Sequence, residues 1–284
     1  METSKILSRA EAWKRKTHRL SLDLRVRSLP EARRFIREQS AVLWNTRAEL
    51  PNLVDAIIGR IANGKERTQG KPVESCLLWR EQLLRDPEFL ECHFFRKQST
   101  VLHQDVWPYA TVFAKLNRKR ATEDRLVSKE AKKILTYLNN EGPARTDHLC
   151  RALKLNSVAE KRSFQRAGQE LQDLLILLAK EGQDTETRKK VEVLDFWENC
   201  VPKTQVNRAE YISVKDAEMK LLSTALHSSV LTLEKNIPRW FEWCHQNCSE
   251  ALEKLIERKE FLRVKQGKTS WIVSRLVLAC KNGK

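Results

Sequence analysis

Between residues 125 and 195 the chain changes hydrophobic period in one order: a helix, a short helix, a long basic helix, then two short strands. Ile134, Leu135 and Leu138 give the first helix an apolar face, and Glu141-Gly142-Pro143 ends it. Thr146 can cap a short second helix running through Leu153. Ser157-Val158-Ala159-Glu160 has the residues of a capping box, in which the serine oxygen accepts from the amide three residues on and the glutamate accepts back from the serine amide. The third helix then runs to about Leu175. Phe164, Ala167, Leu171, Leu174 and Leu175 lie on one face, and Lys161, Arg162, Gln165, Arg166 and Gln169 on the other. Leu175–Ala179 and Lys190–Leu194 can pair as a hairpin, with the polar turn Lys180–Lys189 as a wing. That is the order of a winged helix. A helix that buries one side and shows cations and amides on the other suits a DNA major groove.

A chain of 284 residues is too long for one such unit and suits two or three small domains. Its 53 Lys+Arg against 37 Asp+Glu leave a net charge of +16. That excess favours a polyanionic partner, nucleic acid first; the plainer reading is a basic protein with no charged partner. No long basic amphipathic helix with a bulky apolar face points to a membrane surface. The longest strongly apolar run, Leu174–Ala179, is far short of a membrane span. Residues 1–20 hold Glu2 and Glu11 and lack an apolar core, so no secretory signal is expected. The seven cysteines are scattered and odd in number, which predicts free thiols in a reducing cytoplasm. Cys244-His245-Gln246-Asn247-Cys248 invites a metal reading, but no second ligand pair lies nearby in sequence, and no metal is predicted. Eight glycines argue for a mainly helical chain. Gly267-Lys268-Thr269 ends like a phosphate loop, but Leu262 stands where that motif needs glycine.

The C-terminal third repeats the middle pattern. Ser213 can cap a helix with Ala217, Leu221 and Leu222 on one face, residues 229–243 hold a short second element, and Ser249 can cap a third helix with Leu252, Leu255 and Ile256 inward. A hairpin at 261–273, turning at Gly267, makes a second wing. In its third helix Glu250, Glu253 and Glu257 alternate with Lys254, Arg258 and Lys259, so this unit is expected to orient rather than to read. Helices are also expected over 5–20, from Pro30 to about Ser40, and over 51–61 from Pro51, followed by a polar loop over 63–72 and a helix then strand over 77–96. Asn117-Arg118-Lys119-Arg120 is expected to begin a basic linker, and Val201-Pro202-Lys203-Thr204 to form a second linker. The expected divisions are a basic helical arm over 1–27, an N-terminal winged-helix-like domain over 28–122, a middle winged helix over 123–205 and a C-terminal one over 206–284.

The run Phe94-Phe95-Arg96-Lys97-Gln98-Ser99-Thr100-Val101-Leu102-His103-Gln104-Asp105-Val106-Trp107-Pro108 resembles a segment of the AlkZ and YcaQ family of winged-helix DNA glycosylases. In that segment an arginine-led strand precedes a short acidic, proline-ended helix start. Leu43-Trp44 and Leu50-Pro51-Asn52-Leu53 resemble the stretch before it, and the similarity covers most of residues 28–284. The resemblance implies a C-shaped stack of winged helices around duplex DNA and, in active members, metal-free excision of alkylated or crosslinked purines. Those members use a Gln-x-Gln or Gln-x-Asp motif to position water and stabilise the cationic sugar. Here Leu43-Trp44-Asn45 stands on that motif, so only Asn45 remains. The Arg-Gly-Thr-x-His strand reads Arg96-Lys97-Gln98-Ser99-Thr100 and loses its histidine. Gln39 would need a register shift of four.

Physical chemistry asks glycosidic cleavage for a group that places water and for stabilisation of an oxocarbenium-like centre. Glu38, Asp55, Glu81 and Asp105 are available acids with no telling spacing, His93 and His103 read as surface or strand residues, and Trp44, Trp79 and Trp107 read as core before base-stacking platforms. The expectation is thus a mainly α protein with short β-hairpin wings, built of tandem winged-helix (helix-turn-helix) modules. It binds double-stranded DNA without cofactor or metal. An active monofunctional glycosylase using Asn45 and a protein-interaction scaffold remain as the other two readings. The expected DNA contacts are Arg96, Arg118, Lys119, Arg120, Lys161, Arg162, Gln165, Arg166, Arg188, Lys189, Lys190, Lys265 and Lys268.

Overall fold

The structure, a computed structural model, describes residues 3–123, 126–183, 190–241, 244 and 248–279. The chain is mainly helical, with three small antiparallel sheets of three strands each among the described residues. No described helix is long and apolar enough to cross a membrane.

The first unit runs α1 (Thr3–Thr17), α2 (Leu29–Gln39), β1 (Ala41–Leu43), α3 (Leu53–Ile58), α4 (Lys71–Leu84), β2 (Phe89–Phe95), β3 (Gln98–His103) and α5 (Trp107–Glu123). Ser28 caps α2, accepting from the Glu31 amide. α3 is shorter than the pattern from Pro51 suggests, because the Asn52 side chain caps it by accepting from the Asp55 amide. Its sheet has the order β1-β3-β2, with Leu43 opposite Thr100 and Phe95 opposite Gln98.

The middle unit runs α6 (Lys129–Glu141), β4 (Ala144–Arg145), α7 (Thr146–Ala152), α8 (Val158–Asp173), β5 (Leu177–Gln183) and β6 (Lys190–Phe196). Gly142 ends α6 at a φ of 81°, a conformation open to glycine. Both halves of the Ser157–Glu160 capping box are formed at the start of α8. Thr146 is the first residue of α7 rather than its cap, and α7 has no side-chain capping bond. The hairpin pairs Leu177 with Phe196 through Gln183 with Lys190, and its turn lies outside the described residues. β4 adds a third strand by pairing Ala144 with Leu194.

The last unit runs α9 (Trp197–Cys200), α10 (Lys203–Glu210), α11 (Val214–Ser229), β7 (Leu231–Leu233), a 3-10 turn (Glu234–Arg239), α12 (Ser249–Glu257), β8 (Phe261–Gln266), β9 (Thr269–Ser274) and α13 (Leu276–Ala279). Ser213 caps α11. Ser249 begins α12 without capping it; Cys248 holds the cap position at a φ of 55°. The sheet order β7-β9-β8 repeats that of the other two sheets: in each, the last strand in sequence is the middle one in space.

Two expected linkers are elements instead. Asn117–Arg120 lies inside α5, and Asn117 is fully buried, its Nδ2 donating to the Leu174 carbonyl at 2.9 Å. Val201 is buried and α10 begins at Lys203, packing against α5. The reason is a shared core. Leu43, Phe94, Trp107 and Phe113 from the first unit meet Leu175, Leu178, Trp197, Leu226 and Trp240 in one apolar cluster. Trp197 Nε1 also donates to Thr111 Oγ1 at 2.7 Å inside it. The N-terminal helix is not a separate arm. α1 belongs in space to the far end of the chain, where Ala10 packs with Val230, Leu231, Val264 and Val273.

Candidate nucleic-acid interface

α8 shows its polar residues in one row. Arg162, Gln165, Arg166 and Gln169 follow the spacing of a single helix face and are all exposed, while Phe164, Ala167 and Leu171 are buried beneath them. This face lines an open cavity of about 660 Å³ whose other wall includes Lys97. Lys97 stands at the tip of the β2–β3 hairpin, so a residue from the first unit completes a surface begun by the middle one.

That hairpin turn is strained. Arg96 and Lys97 both take left-handed φ angles, 50° and 56°, where Asn-Gly is the usual pair. Three contacts hold it. The Arg96 amide donates to the Trp240 carbonyl at 2.8 Å, its guanidinium pairs with Glu49 at 2.5 Å, and Asn236 donates to the same Glu49 oxygen at 2.8 Å. On the other side, Asp173 at the end of α8 meets His93 Nδ1 at 2.8 Å and lies 3.9 Å from Lys97 Nζ, while Gln169 Nε2 donates to it at 2.8 Å. The hairpin is therefore tied both to α8 and to the C-terminal unit, and strain of this kind persists only where its surroundings fix it.

The expected contacts divide. Lys161, Arg162 and Arg166 are exposed and form no ion pair among the described residues. Lys265 and Lys268 are exposed at the β8–β9 turn, and Lys268 lines a second cavity. Arg96 is engaged with Glu49, as above. Arg118 stacks over the Phe196 ring at 3.5 Å, donates to Asn139 at 2.7 Å and lies 3.5 Å from Glu198, joining α5 to the middle and last units. Lys119 pairs loosely with Glu123 at 3.9 Å, and Arg120 is partly exposed on the same helix. Arg188 and Lys189 lie outside the described residues, as does the side chain of Lys190. Sequence reasoning missed Lys97 and the His93–Asp173 pair. The signal available was a two-residue turn between apolar strands with a cation at its tip.

Asn45 follows β1, exposed, at the same end of its sheet as the hairpin tip. Its Nδ2 donates to the Arg67 carbonyl at 3.4 Å, and Arg67 Nη1 donates back to the Asn45 carbonyl at 2.7 Å. The four acids considered for water activation are each held by a neighbour. Asp55 is buried and takes both Arg67 Nη2 contacts, at 2.8 and 2.9 Å, and the Ala62 amide. Glu38 pairs with Arg19, Glu81 with Arg85, and Asp105 with His103. Trp44 and Trp107 are buried, and Trp79 packs partly buried against the first unit's core.

A family model, AlkZ related, matches residues 26–242 of the chain. No curated protein and no solved structure matches it.

Proposed function

The chain belongs to the AlkZ-related family, and from that premise we propose that it is a tandem winged-helix protein that binds duplex DNA. The observation that carries this reading is the polar face of α8: a row of cations and amides over an open cavity completed by Lys97, its cations without an ion pair among the described residues. This helix enters the major groove, Arg162, Gln165 and Arg166 reach base edges or phosphates, and the β5–β6 turn with Arg188, Lys189 and Lys190 follows the backbone. Lys119, Arg120, Lys161, Lys265 and Lys268 add phosphate contacts along a curved, C-shaped surface made by the modules over 28–122, 123–205 and 206–284. Arg96 and Arg118 act from inside, holding the walls. Titration of a fluorescent duplex with the full chain at low salt tests the reading. Saturable binding supports it, and no binding hands the surface to a protein partner, as winged helices also allow.

A second reading is favoured by one observation. Asn45, the residue left where the resemblance places the catalytic amides, is exposed beside the hairpin that carries Lys97. A carboxamide can hydrogen-bond water but cannot act as a general base at neutral pH. Excision would then be confined to cationic N7- or N3-alkylated purines, which leave as neutral bases. Methylated duplex incubated with the protein decides it: base release lost in Asn45→Ala supports catalysis there, and release untouched by that change removes the role given to Asn45.

A further inference from the structure

Three ligating side chains converge in the C-terminal unit from places far apart in the sequence. Glu218 comes from the first half of α11, Cys244 from the connection before α12, and Cys248 from the cap position of α12. Their ligand atoms all lie within 4.8 Å of one another. The two sulfurs are 4.0 Å apart, and Cys244 Sγ is 3.8 Å from Glu218 Oε1. Tetrahedral zinc, with metal–sulfur bonds of about 2.3 Å and metal–oxygen bonds of about 2.0 Å, asks for separations of about 3.8 Å between sulfurs and about 3.5 Å between sulfur and oxygen. The sequence alone predicts no metal here because the third ligand, Glu218, lies 26 residues before Cys244.

The surroundings fit a cation. All three side chains are buried, with Glu218 at 6 %, Cys244 at 6 % and Cys248 at 3 % exposure. No described basic side chain forms an ion pair with Glu218, although an unpaired buried carboxylate is costly. A divalent charge among the three atoms offsets the cost of burying that carboxylate. Cys248 also lines a cavity of about 450 Å³ together with Ser249, Glu234, Glu253, Lys235 and Lys268, which opens the cysteine side of the cluster to solvent.

We propose that Glu218, Cys244 and Cys248 form a site for a soft divalent cation, Zn²⁺, that ties α11 to the start of α12, with water completing the tetrahedron from the cavity side. Each thiol releases its proton to solvent as its sulfur coordinates, and the carboxylate binds through one oxygen. The tie makes α11 and α12 one rigid block, and it is independent of whether the chain binds DNA.

Cobalt(II) tests the site on the intact, reduced, chelator-treated protein. The expected result is sulfur-to-cobalt absorption in the near ultraviolet and strong visible bands that saturate at one ion per chain and bleach on adding Zn²⁺. Cys244→Ser and Cys248→Ser each lose these bands, Glu218→Gln weakens them, and Cys200→Ser keeps them. Should a serine variant fail to fold, the wild-type chain still answers: Zn²⁺ shields Cys244 and Cys248 from alkylation, mapped by mass, and raises the thermal midpoint. Absent bands in the folded reduced protein, bands surviving both serine variants, or shielding confined to other cysteines would each overturn the site.

Discussion

α8 and α12 occupy the same place in their units, each packed against its sheet and followed by a hairpin, yet they use charge in opposite ways. On α12, Glu250 is held by Lys215 at 2.5 Å and Lys254 at 2.9 Å, and hydrogen bonds from those two lysines pull its carboxyl down to about 2. Glu253 and Glu234 share Arg263. Lys254 on α12 and Arg263 on the strand that follows are thus answered from within the unit. On α8 the one acid near the start, Glu160, is used in the capping box, where the Ser157 amide lowers its pKa, and Lys161, Arg162 and Arg166 are left to solvent. Position in the fold therefore does not decide which helix has cations free to meet a phosphate. What decides it is whether the helix's cations already have partners, since a cation with an internal carboxylate has less to offer a phosphate.

The contrast between the two helices is open to direct attack. If α8 and its neighbours form a phosphate-binding surface, duplex affinity falls roughly a thousandfold between about 50 and 200 mM salt, for about six phosphate contacts. Anisotropy titrations across that range check it, and a flat response would sink the polyanion reading.

An acid-sensitive lock ties the N-terminal helix to α11. His18, just after α1, is buried, with Nε2 2.8 Å from the Ser228 carbonyl oxygen, and burial followed by the charge of Lys14 lowers its pKa from 6.5 to about 3. The folded state therefore keeps it neutral while the unfolded chain protonates. Its stabilisation is whole above the unfolded value of 6.5 and is lost as pH falls from there toward 3. The loss by about pH 4 is on the order of 3 kcal/mol. Urea unfolding of wild type and His18→Gln should show a shallower acid decline in the variant. Parallel declines would mean that His18 does not set the slope.

Changing Lys161, Arg162 and Arg166 together to alanine should weaken duplex binding on the order of a hundredfold, at about 1 kcal/mol per contact, with the fold intact because these side chains face outward. Lys254→Ala with Arg258→Ala should change it by less than about threefold, as suits exposed rim charges. Equal losses from the two sets would erase the distinction between α8 and α12. Smaller still, Ser157→Ala should cost α8 about 1 kcal/mol through its lost cap, read as a lower thermal midpoint with near-unchanged binding at saturating protein.

Much of the framework could be read from the sequence because it rests on local rules. The Ser157–Glu160 box, the α8 faces, the Ser213 cap and the Gly267 hairpin all depend on residues a few positions apart, and the structure forms each of them. The expected linkers failed for the opposite reason. Asn117–Arg120 and Val201–Thr204 look polar and interrupted in one dimension, but α5 and α10 are stabilised by a core drawn from all three units, which no local window contains.

The same division holds for function. That the chain is basic, mainly helical and furnished with one helix whose cations lie on a single face follows from the order of its residues, because charge and periodicity are properties of composition and spacing. Which of those cations stay available is a matter of three-dimensional packing. Folding turned Arg96 toward Glu49 and Arg118 onto Phe196, brought Lys97 across to α8, and set Glu218 against Cys244 and Cys248. Those outcomes depend on distances between residues tens of positions apart, and such distances are set by how the elements pack, which no local run of residues encodes.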